Sequence, residues 1–143
     1  MSNSPLLPSR EDFAEFIVSH SAQVTPADVT DLLARLPELR KKVAALEAPG
    51  FPRAAAQLGF LTDIVESFAA ERLPQMPYSV ASEAIFGLLY LDRAIDLIPD
   101  SVGPLGYTDD AAVAATVLLR NPKHFAAAAH AQGLDWSRVA PAE

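Results

Sequence analysis

The chain has no cysteine among its 143 residues. This absence excludes disulfides, thiolate metal sites and cysteine nucleophiles, and it is typical of a reducing compartment. Residues 1–10 also lack the basic start and the following apolar run of a secretory signal. Together, these two absences lead us to expect a cytoplasmic protein.

Basic residues are scarce, with 11 lysines and arginines against 18 aspartates and glutamates and a net charge of −7. The only basic cluster is Arg40-Lys41-Lys42, and it lies where the C-terminus of a helix attracts cations. Proteins that bind nucleic acid carry a basic stripe or patch for the phosphates. We therefore expect no nucleic-acid partner.

Long apolar runs and the usual catalytic motifs are also missing. The longest near-continuous apolar run, from Ala84 to Leu91, is far shorter than the roughly 20 residues of a transmembrane helix. No Gly-x-Ser-x-Gly elbow is present, and Gly103 and Gly106 do not form a phosphate-binding loop. We expect a non-catalytic protein without a transmembrane span, for which peripheral membrane contact stays open.

No segment alternates as a strand does, and helical signals recur along the chain. Thr25-Pro26-Ala27-Asp28 is typical of a helix start, with a hydroxyl N-cap and proline at the first helical position. Pro37 lies inside the helical pattern that follows, which predicts a kink or two short helices. Another helix is predicted over about 53–72, and Asn121-Pro122 opens a last one that Gly133 closes.

The centre of the predicted fold is a pair of apolar helices, over about 79–97 and about 109–119. The first is apolar almost all round, as buried helices are, with Ser79 as its cap and Pro99 after its end. Thr108 or Asp109 is predicted to cap the second. The sequence thus predicts an all-α, compact helical bundle built on this central hairpin.

The proline-rich stretch 73–77 is the best internal boundary. It separates an N-terminal helical segment, 1–75, from the hairpin and C-terminal helix, 76–143. We expect both parts to form one compact domain, because half of the residues are apolar and the chain is long enough to bury a core.

Five of the ten aspartates fall within nineteen residues, at the turn of the predicted hairpin. They are Asp92, Asp96, Asp100, Asp109 and Asp110. Charged groups beside a packed core are costly unless they are paired, hydrogen-bonded or bound to a cation. The cluster is therefore the candidate site of this chain.

Two interpretations of the cluster stay open. In the first it is a structural clasp without a cofactor, in which Asp109 or Asp110 caps a helix, Asp100 bonds its own turn and Asp96 pairs with Arg93. In the second, Asp96, Asp100, Asp109 and Asp110 bind Mg²⁺ or Ca²⁺, which take oxygen ligands. Such a cation site could be regulatory or hydrolytic.

Segment 78–119 resembles the YkvA-like family, a mostly bacterial helical domain of unknown function. The positions that match its pattern are Asp96, Ile98, Pro99, Asp100, Gly106, Asp109 and Asp110. Ala94 replaces the first proline of that pattern, and Pro104 is shifted by one residue. The resemblance implies a helical fold. It implies nothing about activity, because no activity is established for the family.

An apolar stripe at helical spacing comprises Leu32, Leu36, Leu39, Val43 and Leu46. Such a stripe either packs onto the central hairpin or forms a helix-in-groove or homodimer contact. Taken together, the sequence favours a helical module that acts through a protein partner, another copy of itself, or a membrane surface.

Overall fold

A computed structural model describes residues 10–46, 53–93 and 106–140, with 10–13, 92–93 and 106–110 described by their helical backbone alone. In these ranges the chain forms α1 (Arg10–Ser21), α2 (Pro26–Ala44), α3 (Ala54–Ala69), α4 (Tyr78–Arg93), α5 (Gly106–Arg120), α6 (Pro122–Ala131) and a short 3-10 turn (Trp136–Arg138). No strand occurs in them. The predicted all-α bundle is confirmed.

Helix α2 begins where the sequence predicts. The Asp28 amide donates to Thr25 Oγ1 at 3.1 Å, and the Thr25 amide donates to Asp28 Oδ2 at 3.0 Å. Pro26 is the first helical residue. This reciprocal capping satisfies two amides that the helix cannot pair internally.

The predicted division of α2 at Pro37 does not occur, because the helix runs unbroken from Pro26 to Ala44. Pro37 is exposed, and its cost is the loss of one helical hydrogen bond and a steric clash with the preceding turn. The buried residues of α2 lie on both sides of it, and burial of this stripe holds the two halves in one helix: Leu32, Leu36, Leu39 and Val43. The stripe thus packs intramolecularly and offers no docking face.

Helix α4 is the centre of the bundle, as predicted. Every residue from Val80 to Leu91 is buried, and α1, α2, α3 and α5 all pack against this helix. One hydrophobic cluster extends from Ile17 in α1 to Val139 after the 3-10 turn. The apolar surface of α4 is therefore enclosed by helices from both halves of the sequence.

Helices α4 and α5 form an antiparallel hairpin. Glu83 near the start of α4 contacts Arg120 at the end of α5, whereas Gly87 lies against Val113 and Val117 in the middle of α5. A Cβ added at Gly87 would meet Leu61 of α3 and Val113 and Val117 of α5 at 3.6–4.0 Å, which is ordinary van der Waals contact, so this close packing does not require glycine. The C-terminal end of α4 and the N-terminal end of α5 consequently lie at the same end of the bundle.

The helix boundaries differ from the predicted ones at three places. Helix α4 begins at Tyr78, because the Pro77 carbonyl accepts hydrogen bonds from the amides of Val80 and Ala81; Ser79 lies in the first turn and is not the cap. Helix α5 begins at Gly106, three residues before the predicted start. Helix α3 ends at Ala69 rather than near residue 72. The predicted end of α4 at residue 97 lies outside the described residues.

The C-terminal segment folds back onto α3. Gly133 adopts a left-handed conformation with φ of 71° after α6, which fits its predicted role as the end of that helix. Trp136 then packs against Phe60 with ring centroids 6.0 Å apart. Buried Gln57 donates from Nε2 to the Val139 carbonyl at 3.0 Å, so a polar contact fixes the tail to the bundle.

Candidate functional site

The antiparallel hairpin brings the backbone of Asp92 to the same end of the bundle as that of Asp109 and Asp110. Their side chains, together with all of Asp96 and Asp100, lie outside the described residues. A site made by Asp96, Asp100, Asp109 and Asp110 therefore stays a prediction. The described backbone places the two ends of the motif near each other, as either interpretation requires.

Helix α5 gives the last two aspartates a different position from the predicted one. Because α5 starts at Gly106, Thr108 and Asp109 are its third and fourth residues, and neither occupies the N-cap. The expected cap role of Thr108 or Asp109 is thus wrong. Both aspartates remain near the positive end of the α5 dipole, where carboxylates are stabilised.

A lysine from α2 lies at this acidic end of the hairpin. Half-buried Lys42 donates from Nζ to the Leu91 carbonyl at 2.8 Å, across 49 residues of sequence. Leu91 directly precedes Asp92 and lies in the last turn of α4. An ammonium group at this place is stabilised by the negative end of the α4 dipole, and it puts a fixed positive charge beside the start of the motif.

The opposite end of the hairpin holds a buried carboxylate that sequence reasoning missed. Glu83 accepts hydrogen bonds from Arg120 Nε at 3.0 Å and Nη2 at 3.2 Å, and from Asn121 Nδ2 at 3.1 Å. It is the only charged residue between Tyr78 and Leu91. That isolation was a usable signal, because a carboxylate inside an apolar helix needs a partner.

The histidines form no common site. His20 hydrogen-bonds through Nδ1 to the Phe16 carbonyl at 3.0 Å near the end of α1. His124 and His130 are exposed on α6. Among the side chains that the structure describes, no three His, Asp or Glu residues come close enough to hold a metal ion.

The tyrosines of the chain differ in environment. Tyr90 is fully buried in the core, whereas Tyr78 is 54% exposed and packs beside Phe68. The Tyr107 side chain, which is the one nearest to the aspartates in sequence, lies outside the description. Tyr90 is therefore a core residue, whereas Tyr78 lies at the surface.

Two surface grooves lie away from the hairpin turn. The C-terminal groove, about 570 Å³, separates α3 from the C-terminal segment, and its lining includes Phe60, Gly59, Asp135 and Arg138. The α6 groove, about 440 Å³, separates α6 from the turn between α3 and α4. Neither could be located from the sequence, because each is formed by segments that are far apart in the chain.

The hairpin is similar to a family of known proteins. A family model described as a protein of unknown function, DUF1232, matches residues 82–116, which is about a quarter of the chain and spans the whole aspartate motif. This match supports a domain of unknown function here and does not extend to the finer YkvA-like assignment. No curated protein matches the chain, and no solved structure does. Within the described residues, no helix has the length and apolarity to cross a bilayer.

Proposed function

We propose that this chain is a non-catalytic helical module that acts by contact with a protein partner, and that its aspartate motif is a structural clasp on the α4–α5 turn. The observation that carries the clasp is the 2.8 Å hydrogen bond from Lys42 to the Leu91 carbonyl. It supplies an internal cation at the end of the hairpin where the sequence concentrates carboxylates. We also propose a cytoplasmic location, consistent with the cysteine-free sequence.

The charge of Lys42 favours the clasp over a metal site. An ammonium ion within the same end of the bundle attracts carboxylates and repels a divalent cation, most strongly where water is partly excluded. The lysine comes from α2, so attraction between it and the motif would stabilise the docking of α2 on the hairpin. The motif would then connect three helices without any bound ion.

Surface charge favours a protein partner over an anionic membrane. The net charge of −7 opposes approach to anionic lipid, since charge of one sign repels over about a Debye length. The large apolar side chains that the described surface exposes are Val18 on α1, Tyr78 on α4 and Leu134 after α6. Residues scattered in this way do not make a membrane-binding patch. A partner with a basic face fits this surface best.

The clasp is tested by thermal unfolding of four chelator-treated proteins: the parent, Asp100→Asn, Asp109→Asn and a control variant, Asp31→Asn. Each substitution removes a carboxylate charge that the clasp pairs with Lys42 or with the positive end of the α5 dipole, and such a charge contributes about 0.3–1 kcal/mol, so we expect both motif variants to unfold at lower temperature. Asp31 is exposed on α2 and its variant should unfold like the parent. Equal stability of all four proteins would contradict the clasp.

The part played by Lys42 is tested by a double-mutant cycle. Lys42→Met and Asp109→Asn should each destabilise, and the double variant should lose less free energy of unfolding than the two losses added, because both remove one attraction. Strict additivity would mean that Lys42 does not serve the motif.

A cation site is the second candidate, favoured by the antiparallel hairpin that gathers the backbone of Asp92, Asp109 and Asp110 at one end. A ligand that binds only the folded state raises the unfolding temperature further as its concentration increases, with a logarithmic dependence. Titration with Mg²⁺, Ca²⁺ and Mn²⁺ would then stabilise the parent and not Asp100→Asn. Under the clasp proposal all three ions leave the unfolding temperature unchanged.

The mode of contact is tested by two measurements on the full chain. Co-sedimentation with vesicles of phosphatidylcholine, alone or with phosphatidylserine, should leave the protein in the supernatant. Sedimentation velocity over a hundredfold range of protein concentration then shows whether the chain self-associates. A chain that stays monomeric throughout would need a different protein as its partner. Recovery of the protein with either vesicle would replace the protein partner by a membrane surface.

A further inference from the structure

We infer that the α6 groove is a binding site for a small molecule that combines an apolar body with a carboxylate. The groove lies between α6 and residues 72–76, the turn that leads from α3 to α4. It lies on a different part of the bundle from the aspartate motif, and it has no role in the function proposed above. Three features support it: its size, its apolar walls, and the arginine and histidine side chains on its lining.

The size of the groove suits a small ligand. Its volume is about 440 Å³, and pockets for small molecules span about 300–1,000 Å³. A stable protein–protein interface buries about 800 Å² on each partner, which is far more surface than this groove provides. The occupant is therefore a small molecule rather than a folded protein.

The walls of the groove are mostly apolar. One wall is the turn, where Leu73 and Met76 are buried. The other is the face of α6 with Ala127, Ala128 and Ala131, whose methyl groups leave the space that longer side chains would fill. An apolar ligand body removes this surface from water, which is favourable in proportion to the area covered.

The side chains of Arg72 and His124 give the groove its positive charge and its hydrogen-bond donors. Arg72 comes from the turn and His124 from the first turn of α6. The side chains of Arg72 and His124 make no hydrogen bond or ion pair with any residue that the structure describes, whereas those of Arg40, Arg53 and Arg120 do. The guanidinium of Arg72 and a ring N–H of His124 are both hydrogen-bond donors on the lining of one groove, and this donor set matches a carboxylate.

The backbone before Arg72 is held in an uncommon conformation. Glu71 has φ of 60°, and no other described residue except glycine has a positive φ. The Arg72 amide donates to the Ser67 carbonyl at 2.9 Å, so the chain closes α3 with a left-handed residue and turns at once into the wall of the groove. With the hydrogen bond from the Glu71 amide to the Phe68 carbonyl, this is a common way for a helix to end, and it fixes the origin of the Arg72 side chain.

The inference is tested by titrating the isotope-labelled full chain with octanoate, acetate and 1-octanol and following amide shifts by NMR. Octanoate should bind saturably and shift the amides of residues 72–76 and 124–131. Acetate lacks the apolar body and octanol lacks the charge, so each should bind about tenfold more weakly or worse, as expected for the loss of one charged hydrogen bond or of the buried chain.

Three variants locate the site. Arg72→Gln should weaken octanoate binding about tenfold or more. The matched control is Lys123→Gln. Lys123 is an exposed cation next to His124 in sequence, and it does not line the groove. The affinity of this variant for octanoate should change by less than about twofold. Ala131→Leu fills the groove at an exposed position of α6 and should abolish binding while the unliganded spectrum stays folded.

Several results would overturn the inference. Octanol binding as tightly as octanoate, or unchanged affinity in Arg72→Gln, would show that the cation does not select the ligand. Undiminished binding in Ala131→Leu would place the ligand elsewhere. A peptide that ends in leucine with a free carboxylate serves as a further probe beside its amidated form; binding of the free peptide without binding of octanoate would assign the groove to a chain terminus instead.

Discussion

Glu83 and Arg120 form a two-pronged ion pair that joins the start of α4 to the end of α5, 37 residues away in sequence. Glu83 is only 6% exposed, and the Asn121 amide donates to the same carboxylate. The pair thus holds the two helices in register at the end opposite to the aspartate motif. Its energetic importance lies in the buried carboxylate, which has no other charged partner among the described residues.

We expect Arg120→Met to lower the free energy of unfolding by about 1–3 kcal/mol, because it leaves the Glu83 carboxylate buried without its cation. The arginine side chain is 34% exposed, so water will partly replace it and the loss will stay below that of a fully buried pair. Urea unfolding measures the change. The double variant Glu83→Leu with Arg120→Met should recover part of the loss; a double variant less stable than Arg120→Met would contradict this account.

We expect Lys42→Met to lower the free energy of unfolding by about 1–2 kcal/mol, because the Leu91 carbonyl loses a charged donor at the end of α4. Lys41→Met is the control, since Lys41 is exposed and has no partner among the described residues. Hydrogen exchange of the last turn of α4 should accelerate in Lys42→Met alone. Equal stability of the two variants would mean that the Lys42 hydrogen bond adds nothing measurable in water.

We expect Glu71→Gly to raise the free energy of unfolding by about 0.5–1 kcal/mol. A left-handed conformation costs a residue with a Cβ about 1–2 kcal/mol, and glycine avoids this cost. Glycine also loses more conformational entropy on folding, which offsets part of the gain. Glu71 is exposed and has φ of 60°. Glu71→Ala keeps the strain and should not stabilise, so a similar gain in both variants in urea unfolding would assign the effect to the lost charge.

We expect the Asp135 carboxyl to titrate below its ordinary value of 3.8, because a hydrogen bond from the Ser137 hydroxyl and a second from the Ser137 amide lower its pKa. A lowered pKa in the folded state stabilises the 3-10 turn above pH 3.8, and this contribution disappears as the pH falls through the folded value. Carbon-detected NMR titration measures the midpoint. Ser137→Ala should raise it toward 3.8, and a midpoint at or above 3.8 in the parent would refute the assignment.

Much of the fold was predictable because its signals are local. The start of α2 depends on Thr25, Pro26 and Asp28, which are neighbours in sequence, and the structure has the predicted contacts there. The apolar character of residues 80–91 likewise identified α4 as the central helix. The end of α3 was not predictable, because Glu71 takes a place that glycine usually marks.

The candidate site was predictable only as a list of residues. The sequence concentrates Asp96, Asp100, Asp109 and Asp110 near one turn, and of these four the described backbone includes only Asp109 and Asp110, at the start of α5. Whether they clasp the turn or bind a cation depends on distances between carboxylates, which spacing along the chain does not set. The cation from α2 could not be foreseen either, because Lys42 binds a backbone carbonyl, a group that every residue carries.

The sequence by itself determined that this protein is a bundle of helices, where α2 and α6 begin, and which helix lies at the centre. Capping, proline placement and apolar periodicity act over a few residues, so the sequence shows them directly. Only the tertiary structure decided that Lys42 lies at the end of α4, that Arg120 reaches Glu83, and that α6 and the turn after α3 enclose a groove. Each of these joins segments far apart in the chain, and such contacts follow from the packing of whole helices.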